Sequence, residues 1–139
     1  MLRQFSKTLS VRAPRPGLYD FTADVRSWVE QADIGEGLLT LFCRHTSASL
    51  LIQENAAPAV SRDLQRYFEL IAPEGVGYEH NDEGPDDMPA HLRSALPQTQ
   101  LSIPVQGGWM ALGTWQGIFL FEHRRSTPER HITLHLVGE

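Results

Sequence analysis

The chain has 139 residues, of which 41% are hydrophobic and 21% charged, so we predict one ordinary globular domain over residues 1–139 and exclude a fibrous or disordered chain. The formal net charge of −5 offers the phosphate backbone of a nucleic acid nothing to attract, which excludes nucleic-acid binding as the expected function. No apolar run approaches the roughly 18 residues that cross a bilayer, and no signal-peptide hydrophobic region follows Met1, so we expect a cytoplasmic protein without membrane contact.

Hydrophobic periodicity predicts the elements of the first half of the chain. Alternating apolar residues indicate a strand over residues 3–11. Apolar residues at helical spacing then predict a first helix: Phe21, Val25, Trp28 and Val29. Asp20 or Thr22 is available as its N-cap. The nearly all-apolar residues 38–44 predict a strand buried on both faces, and residues 48–53 are expected to continue the sheet. Cys43, the only cysteine, is expected to be a buried structural thiol rather than a nucleophile.

The next segment begins with a second helix. Pro58 suits its first turn, and one apolar stripe follows: Val60, Leu64, Phe68 and Ile71. Residues 74–85 lack hydrophobic periodicity and predict a loop long enough to be functional. A short third helix is expected over residues 88–96. Residues 101–105 predict a strand that Pro104 pushes toward a sheet edge.

The C-terminal part of the sequence is rich in strands. Gly107 and Gly108 indicate a turn. Residues 109–113 and 116–121 predict successive strands, and alternating Ile132, Leu134 and Leu136 predict a final one. Strands outnumber helices and follow no regular βαβ order. The pattern therefore predicts an α+β fold rather than a doubly wound parallel sheet.

Polar chemistry concentrates where the predicted strand of residues 38–44 ends. His45, Thr46 and Ser47 follow Arg44 directly, so an imidazole and hydroxyl groups lie beside the core. The alternative is an ordinary strand-end turn in which the hydroxyls satisfy backbone groups. Spacing alone leaves the two interpretations equal.

A second polar cluster surrounds the predicted loop. His80 and His91 flank several carboxylates, including Asp87, and such a nitrogen and oxygen set is typical of ligands to a divalent cation. The eleven-residue separation is not diagnostic of a metal site. On spacing alone, a solvated acidic loop is the favoured alternative.

A third cluster lies near the C-terminus, where three arginines fall within residues 124–130. Guanidinium groups suit carboxylate or phosphate, but an exposed hairpin with surface charge explains the same pattern. Trp115 and Gln116 are expected to pack in the core and to satisfy a backbone group, respectively.

Five blocks of the sequence, taken together, resemble the YjbQ family, also called secondary thiamine-phosphate synthases. They occur in the family's order: RHTSASL at 44–50, EN at 54–55, DMPAH at 87–91, LGTWQ at 112–116 and FEHR at 121–124. The resemblance spans nearly the whole chain. It implies an α+β fold with a mostly antiparallel, half-barrel-like sheet and two or three helices, assembled as a homotrimer with polar pockets near subunit boundaries.

The resemblance also assigns roles to individual residues. It implies a divalent metal, zinc or magnesium, with four candidate ligands: His45, His80, His91 and Asp87. Its catalytic candidates are His45, Glu54, Gln116 and Glu122. Its substrate-binding candidates are Thr46, Ser47, Arg124 and Arg130, the two arginines as phosphate contacts. The sequence departs from the family at Gln53, where many members have Asn, and at residues 125–128, where many have a Gly-Pro-Arg turn.

The implied activity is a weak thiamine-phosphate synthase reaction, which joins a hydroxymethylpyrimidine diphosphate to a thiazole phosphate and releases pyrophosphate. We therefore expect an enzyme acting on phosphorylated small molecules, in which a histidine-bound cation neutralises phosphate charge. Two alternatives remain open. One is a trimeric, non-catalytic protein that binds a phosphorylated metabolite, and the other is a metal-dependent phosphate-ester hydrolase.

Overall fold

A computed structural model describes residues 1–125 and 129–139, and within them eight strands and three helices occur. The strands are β1 (Arg3–Val11), β2 (Gly17–Asp20), β3 (Gly37–Cys43), β4 (Ala48–Glu54), β5 (Gln100–Gln106), β6 (Trp109–Met110), β7 (Gln116–Glu122) and β8 (Arg130–Gly138). The helices are α1 (Thr22–Ala32), α2 (Pro58–Ile71) and α3 (Asp87–Ser94). No helix in this described part of the chain is long and apolar enough to cross a membrane.

The strands form two sheets in which every neighbouring pair is antiparallel. One sheet has the order β1-β8-β3-β5-β6, and the other has the order β2-β7-β4. A single bridge between Leu50 and Gln98 connects β4 with the segment that precedes β5. The sheets curl into a half-barrel, which confirms the predicted α+β class and its mostly antiparallel sheet.

Period-two alternation places the core on the concave side of the larger sheet. Ile132, Leu134 and Leu136 of β8 are fully buried, and Leu39 and Leu41 of β3 lie opposite them in the register. Intervening residues of both strands point to the other face, because successive side chains of a strand alternate. Val25 and Val29 of α1 are buried in the same core, so the predicted helix and strands meet as their periodicity requires.

Two predictions for the region around β3 are wrong. The strand is not buried on both faces, since Leu38 is 43% exposed and Phe42 is 47% exposed. No layer of the described chain covers the outer face of the larger sheet. In addition, β4 does not continue the sheet of β3 but pairs with β7 in the smaller sheet.

Smaller differences concern strand and helix ends. The sequence prediction missed β2, and β6 is only two residues long. Phe21 occupies the cap position of α1, although the Asp20 carboxylate does accept hydrogen bonds from the backbone and hydroxyl of Thr22 at 2.9 and 2.6 Å. Trp115 is 62% exposed and does not pack in the core.

The second helix lies against the edge of the smaller sheet and has no fully buried residue. Its Phe68 packs edge-on against Phe121 of β7, with ring centroids 5.1 Å apart. The long predicted loop follows α2, and α3 follows the loop. This order brings the loop and α3 back to the edge of the sheets where β3 and β7 end.

Candidate functional site

Four strands begin or end at the same edge of the half-barrel. The register pairs Cys43 with Ile132 and Ala48 with Glu122. Residues 44–47 and residues 123–125 therefore leave the sheets side by side, and Arg130 begins β8 at the same edge. The loop and α3 close this edge from outside.

Asp87 is the central residue of this edge. It begins α3, is only 3% exposed, and its Oδ1 accepts a hydrogen bond of 2.7 Å from Nη1 of Arg124. The same guanidinium donates to Asp86 Oδ2 at 3.0 Å and to the Glu83 carbonyl at 3.2 Å. The hydrogen bond to Asp86 raises the pKa of Arg124 above its ordinary value. Such charge-assisted hydrogen bonds compensate for the burial of the carboxylate.

Two histidines share the second oxygen of Asp87. Nε2 of His80 lies 3.0 Å from Asp87 Oδ2, and Nε2 of His91 lies 3.3 Å from the same atom. The two ring centroids are 5.8 Å apart. One ligand atom from each of the three residues lies within 4.8 Å of the others. We call this group the Asp87 cluster.

The backbone fixes the tautomer of His91. Its Nδ1 lies 3.0 Å from the carbonyl oxygen of Thr46, and a carbonyl only accepts hydrogen bonds, so Nδ1 carries the proton. In the neutral ring, Nε2 therefore presents a lone pair toward Asp87, which is also an acceptor. Two acceptor atoms at that distance require a proton or a cation between them. Nδ1 bonded to a backbone carbonyl is also the arrangement that orients metal-ligating histidines.

His45 lies outside the Asp87 cluster. Its Nε2 accepts a hydrogen bond of 2.8 Å from the backbone N–H of His131, and the two rings stack with centroids 6.0 Å apart. Burial, followed by the positive charges of Arg130 and His131, lowers the pKa of His45 below its ordinary value of 6.5. Only Nδ1 is left to meet a ligand, so the structure does not bring all three predicted histidines to one cation.

A pocket of about 770 Å³ adjoins the cluster, and we call it the main pocket. His45 and His91 both line it, so two of the three predicted histidines share this space although they do not share one ligand position. Hydroxyl groups line it as well: Thr46, Ser47, Ser94 and Thr99. The pocket therefore combines imidazoles with several hydrogen-bond donors.

Glu122 and Arg130 form a buried ion pair beside this pocket. Glu122 is fully buried, and its two oxygens accept hydrogen bonds of 2.6 Å from Nε and Nη2 of Arg130. The carboxylate also accepts the backbone N–H groups of His123 and Arg124, and Nη2 of Arg130 donates to Ser47 Oγ at 2.9 Å. Each charged group therefore neutralises the other, whereas the resemblance implies a catalytic role for Glu122 and a phosphate contact for Arg130.

Glu54 and Gln116 lie at the far end of the smaller sheet. They are paired with each other, six residues along the strands from the Ala48–Glu122 pair, which corresponds to about 20 Å. Gln116 Oε1 accepts a hydrogen bond of 2.8 Å from the backbone of Gly113, as the sequence predicts. Within one chain, these two catalytic candidates are not brought to the main pocket.

Arg44 is a residue of the main pocket to which the sequence analysis gave no role. Its side chain is exposed and lines the pocket. Within residues 1–125 and 129–139, its guanidinium has no hydrogen-bond or ion-pair partner, whereas Arg124 and Arg130 are both paired with carboxylates. The signal available in the sequence was its position directly before His45 at the end of a strand.

Comparison with known proteins agrees with the fold. The profile of the family described as UPF0047 protein YjbQ-like matches residues 7–139. The UPF0047 protein sll1880 of Synechocystis is 46% identical, covering 99% of this chain and 94% of that protein. YjbQ of Escherichia coli O157:H7 is 40% identical, covering 97% and 99%. A YbjQ-like protein of unknown function from Sulfolobus solfataricus P2 superimposes with a TM-score of 0.92 at 26% identity, over 100% of both chains.

His123, at the end of β7, gives the folded protein a measurable pH dependence. It is buried, its Nε2 lies 3.0 Å from Ser49 Oγ, and burial together with the charges of Arg93 and Arg130 lowers its pKa from 6.5 to about 3. Between these values the unfolded chain binds a proton that the folded protein excludes. The free energy of unfolding is therefore expected to fall as the pH drops below 6.5, by up to about 1.4 kcal/mol per pH unit.

Urea denaturation of wild type and His123→Gln at pH 7, 6 and 5 measures this contribution. Glutamine retains a polar group that can meet Ser49 but does not titrate. The variant is expected to lose stability less steeply as the pH falls. Identical slopes for the two proteins would show that His123 titrates normally in the fold.

Proposed function

We propose that this chain, which belongs to the YjbQ-like UPF0047 family, is a divalent-metal-dependent enzyme that acts on a phosphorylated small molecule bound in the main pocket. The observation that carries the proposal is that the two carboxylate oxygens of Asp87 have different partners. Arg124 holds Oδ1, while two Nε2 atoms converge on Oδ2. The cluster thus presents three ligand atoms and leaves further coordination positions for water or substrate.

The chemistry of these atoms favours zinc over magnesium. Two imidazole nitrogens and one carboxylate oxygen form a donor set that zinc accepts with a fourth, open position, whereas magnesium prefers oxygen ligands. A divalent ion held by these three residues would supply positive charge to neutralise a phosphate group. His91 supports this role because its Nδ1 is already bonded to the Thr46 carbonyl.

The main pocket supplies the remaining contacts in this proposal. Arg44, whose guanidinium is unpaired among the described residues, orients the anion, and the hydroxyls of Thr46 and Ser47 donate hydrogen bonds to it. Arg124 and Arg130 act indirectly, since they hold Asp87 and Ser47 in place. His45 lines the same space, and its lowered pKa keeps the ring neutral near pH 7. Because its Nε2 accepts the backbone N–H of His131, the proton lies on Nδ1, which donates a hydrogen bond to the anion.

The finer form of the proposal is the thiamine-phosphate synthase reaction. In it, a thiazole nitrogen forms a bond to the pyrimidine methylene carbon while the bond from that carbon to the diphosphate oxygen breaks. The electron pair leaves with pyrophosphate. Such a leaving group requires neutralisation of several negative charges at once, which a cation at the Asp87 cluster together with Arg44 provides.

Zinc binding is the first test. Tag-free protein dialysed against EDTA is expected to bind one zinc ion per chain by calorimetry. Asp87→Asn should weaken the affinity for zinc by at least about tenfold to a hundredfold, which is the loss that typically follows removal of a group supporting a metal ligand. Glu79→Gln, which removes an exposed carboxylate next to His80, is the matched control and should bind like wild type. Absence of zinc binding, or equal binding by Asp87→Asn, would contradict the proposal.

Turnover is the second test. Zinc-loaded protein is incubated with hydroxymethylpyrimidine diphosphate and thiazole phosphate, and released pyrophosphate is measured. His45→Ala is expected to abolish product formation while retaining zinc. If the protein binds the substrates without turnover, it is a non-catalytic binding protein. Release of inorganic phosphate from either substrate alone would instead identify a hydrolase.

We further propose that the protein assembles as a homotrimer through the outer face of its larger sheet. The outward positions of four strands carry no Asp, Glu, Lys or Arg, in a chain that is 21% charged. They are Gln4, Ser6, Thr8, Ser10, Leu38, Thr40, Phe42, Gln100, Ser102, Pro104, His131, Thr133, His135 and Val137. A face without charge but with exposed apolar side chains is typical of an interface core.

This assembly bears on the site because Phe42 belongs both to the outer face and to the wall of the main pocket. The pocket therefore opens at the proposed subunit boundary. Glu54 and Gln116, which are remote from it in their own chain, have a role in this proposal only at the pocket of a neighbouring subunit.

Light scattering tests the assembly. Wild type is expected at three times the chain mass of 15.6 kDa. Phe42→Asp places an unpaired charge in the interface and should yield monomers. Tyr67→Asp, at an exposed aromatic residue of α2 away from this sheet, is the matched control and should remain trimeric. A monomeric wild type would contradict the assembly.

A further inference from the structure

Arg93 of α3 is a buried cation without a carboxylate partner in the described part of the chain. It is only 9% exposed, and its Nε and Nη2 both donate to one atom, the carbonyl oxygen of Ala72, at 3.1 and 2.8 Å. All other buried charged side chains among the described residues have an oppositely charged partner: Asp87, Glu122 and Arg130. A buried charge without a counterion is costly, so Arg93 requires an explanation.

The bond to Ala72 explains part of this arrangement. Ala72 caps the C-terminus of α2, where unpaired carbonyl groups give the helix a partial negative charge that attracts a cation. That partial charge amounts to roughly half a unit. It does not neutralise a full guanidinium, and the bond leaves Nη1 of Arg93 without a hydrogen-bond partner among the described residues.

Arg93 lines a cavity of about 470 Å³, which we call the Arg93 cavity. Two further arginines line it, Arg15 and Arg125. Arg125 is paired with Glu74, but the Arg15 side chain has no partner in the described residues. Glu69 is the remaining charged residue of the wall. Three arginines and two glutamates, Glu69 and Glu74, line the cavity, so its net charge is positive.

His123 adds no charge to this cavity near neutral pH. It is buried in the wall of the same cavity. Burial and then the nearby charge of Arg93 lower its pKa to about 3.

We propose that the Arg93 cavity is a binding site for a phosphate group, separate from the Asp87 cluster. Guanidinium groups bind phosphate through paired hydrogen bonds, and here Arg93 and Arg15 have donors available. The volume falls within the roughly 300 to 1,000 Å³ of small-molecule sites, so it accommodates a phosphate monoester as well as inorganic phosphate.

The position of Arg93 on its helix separates the two sites. Arg93 follows His91 by two residues, which is about 200° around an α-helix, so the two side chains leave α3 on opposite sides. No residue of the Asp87 cluster lines the Arg93 cavity, and none of the cavity's residues lines the main pocket. Phosphate binding there does not depend on the proposed metal site.

Calorimetry of metal-free protein tests the site, with inorganic phosphate and glycerol 3-phosphate as separate probes. Arg15→Gln is the decisive variant, because the Arg15 side chain has no hydrogen bond in the described residues and its loss should leave the fold intact. Loss of one charge-assisted hydrogen bond is expected to weaken phosphate binding by about tenfold to a hundredfold. Arg12→Gln, an exposed arginine three residues earlier that does not line the cavity, is the matched control and should bind like wild type.

Three further variants locate the phosphate. Asp87→Asn and Arg44→Gln alter the Asp87 cluster and the main pocket, so both are expected to retain the phosphate binding that Arg15→Gln weakens. Arg93→Met should abolish binding, and circular dichroism checks that it folds. The proposal is overturned if wild type binds neither probe, if Arg15→Gln binds as tightly as wild type, or if Arg44→Gln or Asp87→Asn removes the binding. Tighter binding of the monoester than of inorganic phosphate would identify a phosphorylated metabolite as the occupant.

Discussion

The hydrogen bond between Arg124 and Asp87 is the constraint on which the candidate site depends. Arg124 leaves the end of β7, and its guanidinium reaches Asp86, Asp87 and the carbonyl of Glu83. It thereby ties the long loop and the start of α3 to the edge of the sheets. It also determines which oxygen of Asp87 can act as a ligand, because Arg124 holds one oxygen and only the other faces His80 and His91.

A second buried ion pair makes the same edge rigid. Glu122 and Arg130 join the end of β7 to the start of β8, and Arg130 also holds Ser47 in the turn that carries His45. Removing one partner of such a pair leaves an uncompensated buried charge, at a typical cost of about 3–5 kcal/mol. Arg124 and Arg130 therefore organise the main pocket, and Arg44 is the arginine of that pocket without a partner among the described residues.

The sequence predicts the fold well where one periodicity dominates. The strand of residues 3–11, the first two helices and the alternating final strand all follow from hydrophobic spacing. The family resemblance names His80, Asp87 and His91, whose side chains the fold brings together. Side-chain partners are harder to predict. The apolar run of residues 38–44 predicts burial on both faces. This prediction is wrong because such a run does not show whether another layer covers the second face. Likewise, the roles of Arg124, Arg130, Glu54 and Gln116 depend on strand register and on which carboxylate meets which arginine.

Anomalous diffraction from crystals soaked in zinc tests the central claim most directly, because it locates the ion without reference to activity. The account predicts one peak per chain bonded to Asp87 Oδ2 and to Nε2 of both His80 and His91, at the roughly 2.0–2.2 Å of zinc bonds to nitrogen and oxygen, with Arg124 still on Oδ1. Zinc found only elsewhere, or coordinated by Nδ1 of His91 after loss of its bond to Thr46, would contradict the account.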